Sequence, residues 1–368
     1  MTLPKIPVEV TLDSLNSREG TERRVHCFDD PGDKARRALE VALGANRPLL
    51  VQGEPGVGKT QLAEAAAKAL NRVLLSVTVD SRTESRDLLY SFDAVRRLSE
   101  AQLLGVLGAN AFRKQQTQET NSTPLPEAVL EALRRDLDPQ NFVVPGLLWW
   151  AFDWSSAARQ AKRAQAAPIH DAKAWEAAEG GSVLLIDEID KAEADVPNGL
   201  LEALGSRRFG VPAGLPDVVM QPKHPPLVII TTNQERTLPD PFLRRCVVLT
   251  LELPPEDPRL GSESSSQPTA FPSQADGASP PQPQSLAEFL KKRGKAHFPQ
   301  VTDEVLNLAA ERLVCDRRDA RAAQALSPGQ AEFLDLLRAT LASADSSDEQ
   351  LKNLQVFSEF VFRKYNPS

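Results

Sequence analysis

The stretch Pro48-Leu49-Leu50-Val51-Gln52-Gly53-Glu54-Pro55-Gly56-Val57-Gly58-Lys59-Thr60-Gln61 decides the fold of this chain. An apolar run fit for a buried strand leads through a glycine-rich turn into a helical pattern that continues to Leu70. Gly53 to Thr60 fit the form G-x-x-x-x-G-K-[ST], and a strand before it and a helix after it are the context in which that form cradles phosphate. Its glycines let backbone N–H groups turn toward phosphate oxygens with no Cβ in the way. The Lys59 ammonium reaches the terminal phosphates, the Thr60 hydroxyl suits Mg²⁺, and the start of a helix favours an anion. The expected nucleotide-binding residues are therefore Gly53, Glu54, Pro55, Gly56, Val57, Gly58, Lys59, Thr60 and Gln61, with ATP and Mg²⁺ as the expected cofactors.

Outward from this loop, short apolar runs at Val73–Val79, Val183–Ile186, Leu227–Thr231 and Val247–Leu251 alternate with helical patterns such as Thr60–Leu70 and Asp195–Leu204. Strands that are apolar throughout belong to a parallel sheet covered on both faces, so the predicted class is α/β. The run from Ser182 ends in Asp187-Glu188, at a strand's carboxyl end, where open α/β sheets place their ligands. Asp187 suits the Mg²⁺ shell, and Glu188 suits the base that polarises an attacking water. A pair of solvated acids is the plain alternative. For Asp190 and Lys191 a structural role fits at least as well as a catalytic one. Asn233, at the end of the next strand, is placed to hold the water or touch the γ-phosphate, although Asn also favours turns by itself. Arg244 and Arg245 precede the last strand, where a guanidinium either stabilises charge on a transferring phosphoryl group or pairs with surface acids.

This set of residues resembles the AAA+ ATPases, and within them the MoxR-type branch. The resemblance covers Pro31 to Leu253 well and the C-terminal helices loosely. It implies a P-loop NTPase fold with a parallel five-stranded sheet between helices and a small C-terminal helical lid. Carried over, Lys59 and Thr60 are Walker A, Asp187 and Glu188 are Walker B, and Asn233 is sensor 1. Arg245, with Arg244 as the alternative, is the finger acting on a neighbouring subunit's ATP. The branch-level wording is Leu238-Pro239-Asp240, Ser85-Arg86-Asp87-Leu88-Leu89-Tyr90 and Val144-Pro145-Gly146-Leu147-Leu148. One departure is Gln330, in Ser327-Pro328-Gly329-Gln330, where the lid of the family often has an arginine. Arg317, Arg318 and Arg321 are the substitute candidates.

The chain divides into an α/β domain at 1–253 with insertions near 90–180 and 207–222, a Pro/Ser-rich linker at 254–284, and a helical domain at 285–368. Helical spacing in the last part falls at Ser285–Arg293, Thr302–Cys315, Pro328–Ser343 and Ser347–Lys364. In the first insertion, Leu147, Trp150 and Trp154 fall on one helical stripe. With Trp149 and Phe152 they read as packing ahead of a substrate-gripping surface facing a pore. The second, Arg207–Pro222, reads as a β-hairpin turning at Pro212, Ala213 and Gly214.

At 368 residues and 41% hydrophobic content the chain is long enough for a sizeable core. Its 43 Lys+Arg against 50 Asp+Glu, a net charge of -7, argue against a coat for nucleic acid or anionic membrane. The basic run Lys291–Lys295 is short and lacks interleaved aromatics. No membrane-length apolar stretch and no signal-peptide pattern are present, so the expected location is cytoplasmic. Cys27, Cys246 and Cys315 are odd in number and widely spaced, which speaks against a disulfide framework. His26, His170, His224 and His297 form no metal-ligand spacing. By resemblance, the leading functional expectation is an ATPase that works as a homo-oligomer, a hexameric ring, on a separate protein effector. An ATP-gated switch or scaffold with little turnover comes second, and a DNA-directed motor third. The absence of a guanine-reading N-K-x-D favours ATP as the nucleotide.

Overall fold

A computed structural model describes residues 6–12, 24–28, 34–115, 131, 134–167, 175, 181–256 and 285–362, with backbone alone for 106–115. The elements of the first part are β1 (Glu9–Leu12), β2 (Arg24–Cys27), α1 (Lys34–Ala45), β3 (Leu49–Gln52), α2 (Lys59–Ala69) and β4 (Val73–Thr78). Next come β5 (Tyr90–Phe92), α3 (Ala94–Gln115), β6 (Val143–Pro145), α4 (Leu147–Phe152), α5 (Trp154–Arg163) and β7 (Ser182–Asp187). Then follow α6 (Asp195–Ser206), β8 (Arg208–Phe209), β9 (Val218–Val219), β10 (Leu227–Thr232), α7 (Asp240–Leu243) and β11 (Val247–Thr250).

Five of these strands form one parallel sheet in the order β11-β3-β10-β7-β4. Both faces are covered, which is why the strands are apolar throughout. Leu50, Leu184, Ile186, Val228 and Ile230 pack to one side with α4, α5 and α6. Leu49, Val51, Val183, Leu185, Leu227 and Ile229 pack to the other with α1, α2 and β1. Each fully buried aliphatic side chain is worth about 1.5 to 3 kcal/mol of transfer free energy, so the alternation drives both layers onto the sheet. The pair β1 and β2, which the sequence reading did not find, is antiparallel and joined to α2 by an Arg24–Glu64 ion pair at 2.8 Å.

The first insertion is built for packing. Trp149, Trp150, Phe152 and Trp154 are all buried in the core on the α6 side. The single stripe expected for Leu147, Trp150 and Trp154 is corrected: the helix stops at Phe152, and Asp153 caps a new one by accepting from Ser156 N at 3.0 Å. Trp150 and Trp154 still meet edge to face at 4.8 Å across this break. The second insertion is a hairpin of β8 and β9, with Ala213 and Gly214 at φ +63° and +70° in the turn.

Among the described residues the C-terminal part has four helices, α8 (Leu286–His297), α9 (Asp303–Ala322), α10 (Gln330–Ser343) and α11 (Ser347–Val361), around their own core of Leu290, Leu313, Phe333, Leu337 and Phe362. Ser285, Thr302 and Ser346 cap three of them, each accepting from a backbone N–H three residues on. The basic run is broken, because Arg293 turns inward, buried, to donate to Cys27 O at 2.8 Å. The expected linker lies, from residue 257 to 284, outside the described residues. Among the described residues no helix is long and apolar enough to cross a membrane.

Candidate functional site

The glycine loop leaves β3 at the carboxyl edge of the sheet, between β11 and β10. Gly56 and Gly58 hold left-handed backbone at φ +78° and +96°, which a Cβ would strain. A Cβ on Gly53 would stand 2.3 Å from Leu251 O, so the loop exits in contact with the end of β11. Gly58 precedes α2, and the first turn of that helix has no acidic residue, leaving its N–H groups and dipole open to an anion.

Lys59 is buried, and its ammonium donates to Gly53 O (2.8 Å), Glu54 O (3.0 Å) and Asn233 Oδ1 (2.6 Å). These use all three of its N–H bonds. Burial pulls its pKa below the ordinary lysine range, against the attraction of Asp187, Asp190 and Glu188. The Thr60 hydroxyl donates to Asp187 Oδ2 at 3.0 Å, and Thr231 donates to Asp187 Oδ1. Thr231 Oγ1 also accepts from Glu188 N at 3.0 Å, so one buried threonine on β10 fixes both acids at the end of β7.

Glu188 sits at φ +60°, a left-handed conformation uncommon outside Gly, Asn and Asp. The turn ends the strand's alternation, and Asp187 and Glu188 both line one cavity. Glu188 Oε2 accepts from Lys191 Nζ at 2.6 Å, while the Asn233 amide stands 3.5 Å from Oε1. Asp190, 2% exposed, accepts from Asn233 N at 3.4 Å and Glu235 N at 2.9 Å, and so anchors the loop that carries Asn233. Thr231 and the positioning part of Asp190 escaped the sequence reading. The only sequence signal for Thr231 is the polar pair Thr231-Thr232 closing an apolar run.

The cavity measures about 260 Å³. Pro55, Gly56, Gly58, Lys59, Thr60, Gln61, Asp187, Glu188 and Asn233 line it from the sheet domain, and Gln330, Ala331 and Leu334 from α10. Of the expected loop residues, Gly53, Glu54 and Val57 stay out of the lining; Gly53 and Glu54 instead give their carbonyls to Lys59. Gln330 does reach the cavity, whereas Arg317, Arg318 and Arg321 do not line it. Arg244 and Arg245, just after α7, are exposed and also outside the lining.

The arrangement fits a Mg²⁺ nucleotide. A glycine cradle, a lysine and a free helix start suit the phosphates, and the Thr60 hydroxyl beside the Asp187 carboxylate is the oxygen donor set that a hard cation takes.

The family profile of the AAA domain, dynein-related subfamily, matches residues 48–111 and 157–260. Over these residues the chain is similar to an AAA domain. The AAA match spans β3 to β11 and includes the glycine loop, Asp187, Glu188, Asn233, Arg244 and Arg245. It passes over 112–156, the stretch that holds β6 and the tryptophan-bearing α4. Two structures of mutants of Thermotoga maritima RuvB are each 15% identical to the chain, with TM-scores of 0.41 and 0.38. They cover 89% and 88% of this chain and 70% and 68% of their own. At these TM-scores the likeness assigns no role to any residue. No curated protein matches the sequence.

Proposed function

We propose that this protein is a Mg²⁺-dependent ATPase of the MoxR-type branch. It works in the cytoplasm as a homo-oligomeric, hexameric ring that remodels or activates a separate protein partner. One observation carries the hydrolytic part: Lys59, Thr60, Asp187, Glu188 and Asn233, drawn from three strand ends, converge on a single cavity. Mg²⁺, when bound, would neutralise part of the charge that builds on the phosphoryl group.

The chain's own residues do the rest. Lys59 exchanges the Asn233 amide oxygen for a phosphate oxygen, which frees Asn233 to orient the attacking water. Glu188, released from Lys191, accepts the water's proton on a carboxylate oxygen. Thr60 and Asp187 would hold the cation, with Thr231 fixing the direction of Asp187. No arginine lines the cavity among the described residues, while Arg244 and Arg245 are exposed, which supports a guanidinium arriving from a neighbouring subunit. The MoxR-like segments around Ser85, Val144 and Leu238 support the branch and, with it, a protein effector. The inward turn of Arg293 weakens the case for nucleic acid.

A second reading, an ATP-gated switch with little turnover, is favoured by one observation: the lid presents Gln330, not a cation, to the cavity. Steady-state ATP hydrolysis over a hundredfold range of protein concentration, with Glu188→Gln as the blank, separates the two. The expected result is a specific rate that climbs with concentration and is absent in Glu188→Gln, although that variant still binds nucleotide. Turnover in Glu188→Gln equal to that of the native chain refutes the mechanism. Nucleotide binding with no rate above the blank selects the switch.

A further inference from the structure

The lid meets the glycine loop through a buried cation that the mechanism above does not use. Arg317 on α9 is 2% exposed, and its guanidinium donates to two acceptors while its Nε stands 3.9 Å from Glu256 Oε1. Nη1 donates to Pro328 O at 2.9 Å, two residues ahead of α10, and Nη2 donates to Glu54 Oε2 on the glycine loop. One turn on, Arg321 stands 3.8 Å from Glu54 and 3.3 Å from Glu256, and Arg318 lies 3.9 Å from Glu256. Glu54 and Glu256 thus hold one face of α9 against the sheet domain. The contact is close, since a Cβ on Gly56 would meet the Ala331 Cβ at 3.2 Å, and one on Gly329 would meet Pro55 O at 3.4 Å.

We propose that Arg317 is a positioning residue that seats the lid on the phosphate loop through Glu54, and that nucleotide retention depends on this latch. The proposal rests on reading the cavity as a nucleotide site. A guanidinium fork serves two acceptors at once, which a lysine ammonium at the end of a flexible stem does poorly. Arg317 spends its fork on the loop at one end and the start of α10 at the other, and α10 brings Gln330, Ala331 and Leu334 to the cavity wall. Glu54 is the link in both directions, because its carboxylate takes Arg317 while its carbonyl takes Lys59. When Lys59 exchanges the Asn233 amide for a phosphate oxygen, its bond to the Glu54 carbonyl still ties the peptide held by the latch to the group that grips the phosphate. Weakening a buried cation's charged acceptor is unfavourable, so Glu54 strengthens the seat of the lid on the loop, with Glu256, 3.9 Å from Arg317 Nε, as the remaining acid when Glu54 loses its charge.

The test uses the purified full chain, fluorescent mant-ADP as a probe that needs no hydrolysis, and the variants Glu54→Gln, Arg317→Lys and Arg317→Gln. Glu54→Gln keeps the shape and the carbonyl, and its side chain is 54% exposed, so the variant folds even if Arg317→Gln does not. Stopped-flow release of mant-ADP should be about fivefold faster in Glu54→Gln, the effect of about 1 kcal/mol. Arg317→Lys should fall between the native chain and Arg317→Gln. Without nucleotide, amide exchange around Pro328 and the first turn of α10 should rise in Glu54→Gln, while the parallel sheet keeps its protection. Local electrostatics alone has the opposite sign, because removing a negative charge beside the phosphates slows release. Release from Glu54→Gln at the native rate or slower overturns the latch. If the native chain fails to bind mant-ADP, the nucleotide reading falls, and unchanged exchange in Glu54→Gln then overturns the latch as a contact in its own right.

Discussion

Asp190 offers the sharpest test of how the site is held together. Its carboxylate is buried and accepts two backbone N–H bonds from the loop after β10, at 3.4 Å from Asn233 and 2.9 Å from Glu235. Asp190→Ala removes both acceptors. A hydrogen bond to a charged group nets about 1.5 to 3 kcal/mol. The longer bond belongs at the low end, and Gln234, Glu235 and Arg236 are exposed, so water takes up part of the loss. The expected destabilisation is about 2 to 4 kcal/mol, or roughly 5 to 10 °C in Tm for a domain of this size. Turnover should fall by more than the stability loss implies, because the freed loop carries Asn233, which bridges Lys59 and Glu188. A loss of about 1.4 kcal/mol in that positioning is tenfold in kcat. Asp190→Asn retains one acceptor oxygen and should fall between. The assay is ATP turnover at 25 °C beside a thermal melt. Native kcat in an Asp190→Ala protein that is fully folded at the assay temperature refutes the claim that Asp190 positions Asn233.

The exposed Arg244 and Arg245 should act across a subunit boundary. Arg245→Ala is expected to be inactive alone and to regain turnover when mixed with inactive Glu188→Gln, because each Glu188→Gln neighbour supplies an intact arginine. A mixture as inactive as its parts excludes Arg245, and the same mixing with Arg244→Ala decides between the two. Thiol accessibility gives an independent check on packing. Cys27 and Cys246 are buried, and burial pushes the Cys246 pKa up to about 12, whereas Cys315 is exposed. A thiol reagent at pH 8 should label Cys315 in the folded chain and reach the other two only on unfolding; rapid labelling of Cys246 contradicts the placement of α7 and β11.

What the sequence determined by itself is what depends on near neighbours along the chain. The loop from Gly53 to Thr60 is legible because glycines at fixed offsets dictate backbone conformation, and the five strands because full burial demands apolar residues on both faces. The observed strands differ from the expected ones by no more than a residue at either end, as in Leu49–Gln52 for Pro48–Val51. The lid helices are legible from the three- and four-residue spacing of their apolar residues, although α9 runs on to Ala322, past the expected end at Cys315. The tryptophan stripe misled because Asp153 accepts Ser156 N and restarts the helix, an alternative that periodicity does not register.

Tertiary structure decided who touches whom. Thr231 fixes Asp187 from 44 positions away, Asp190 anchors Asn233 from 43, and Arg317 finds Glu54 across 263. None of these pairs has a local signature, because any buried acceptor near the right strand end would serve. Only the parallel pairing of β10 with β7, and the seating of the lid on the glycine loop, brings the particular donor and acceptor within reach, and burial then makes each bond matter by removing the water that would replace it.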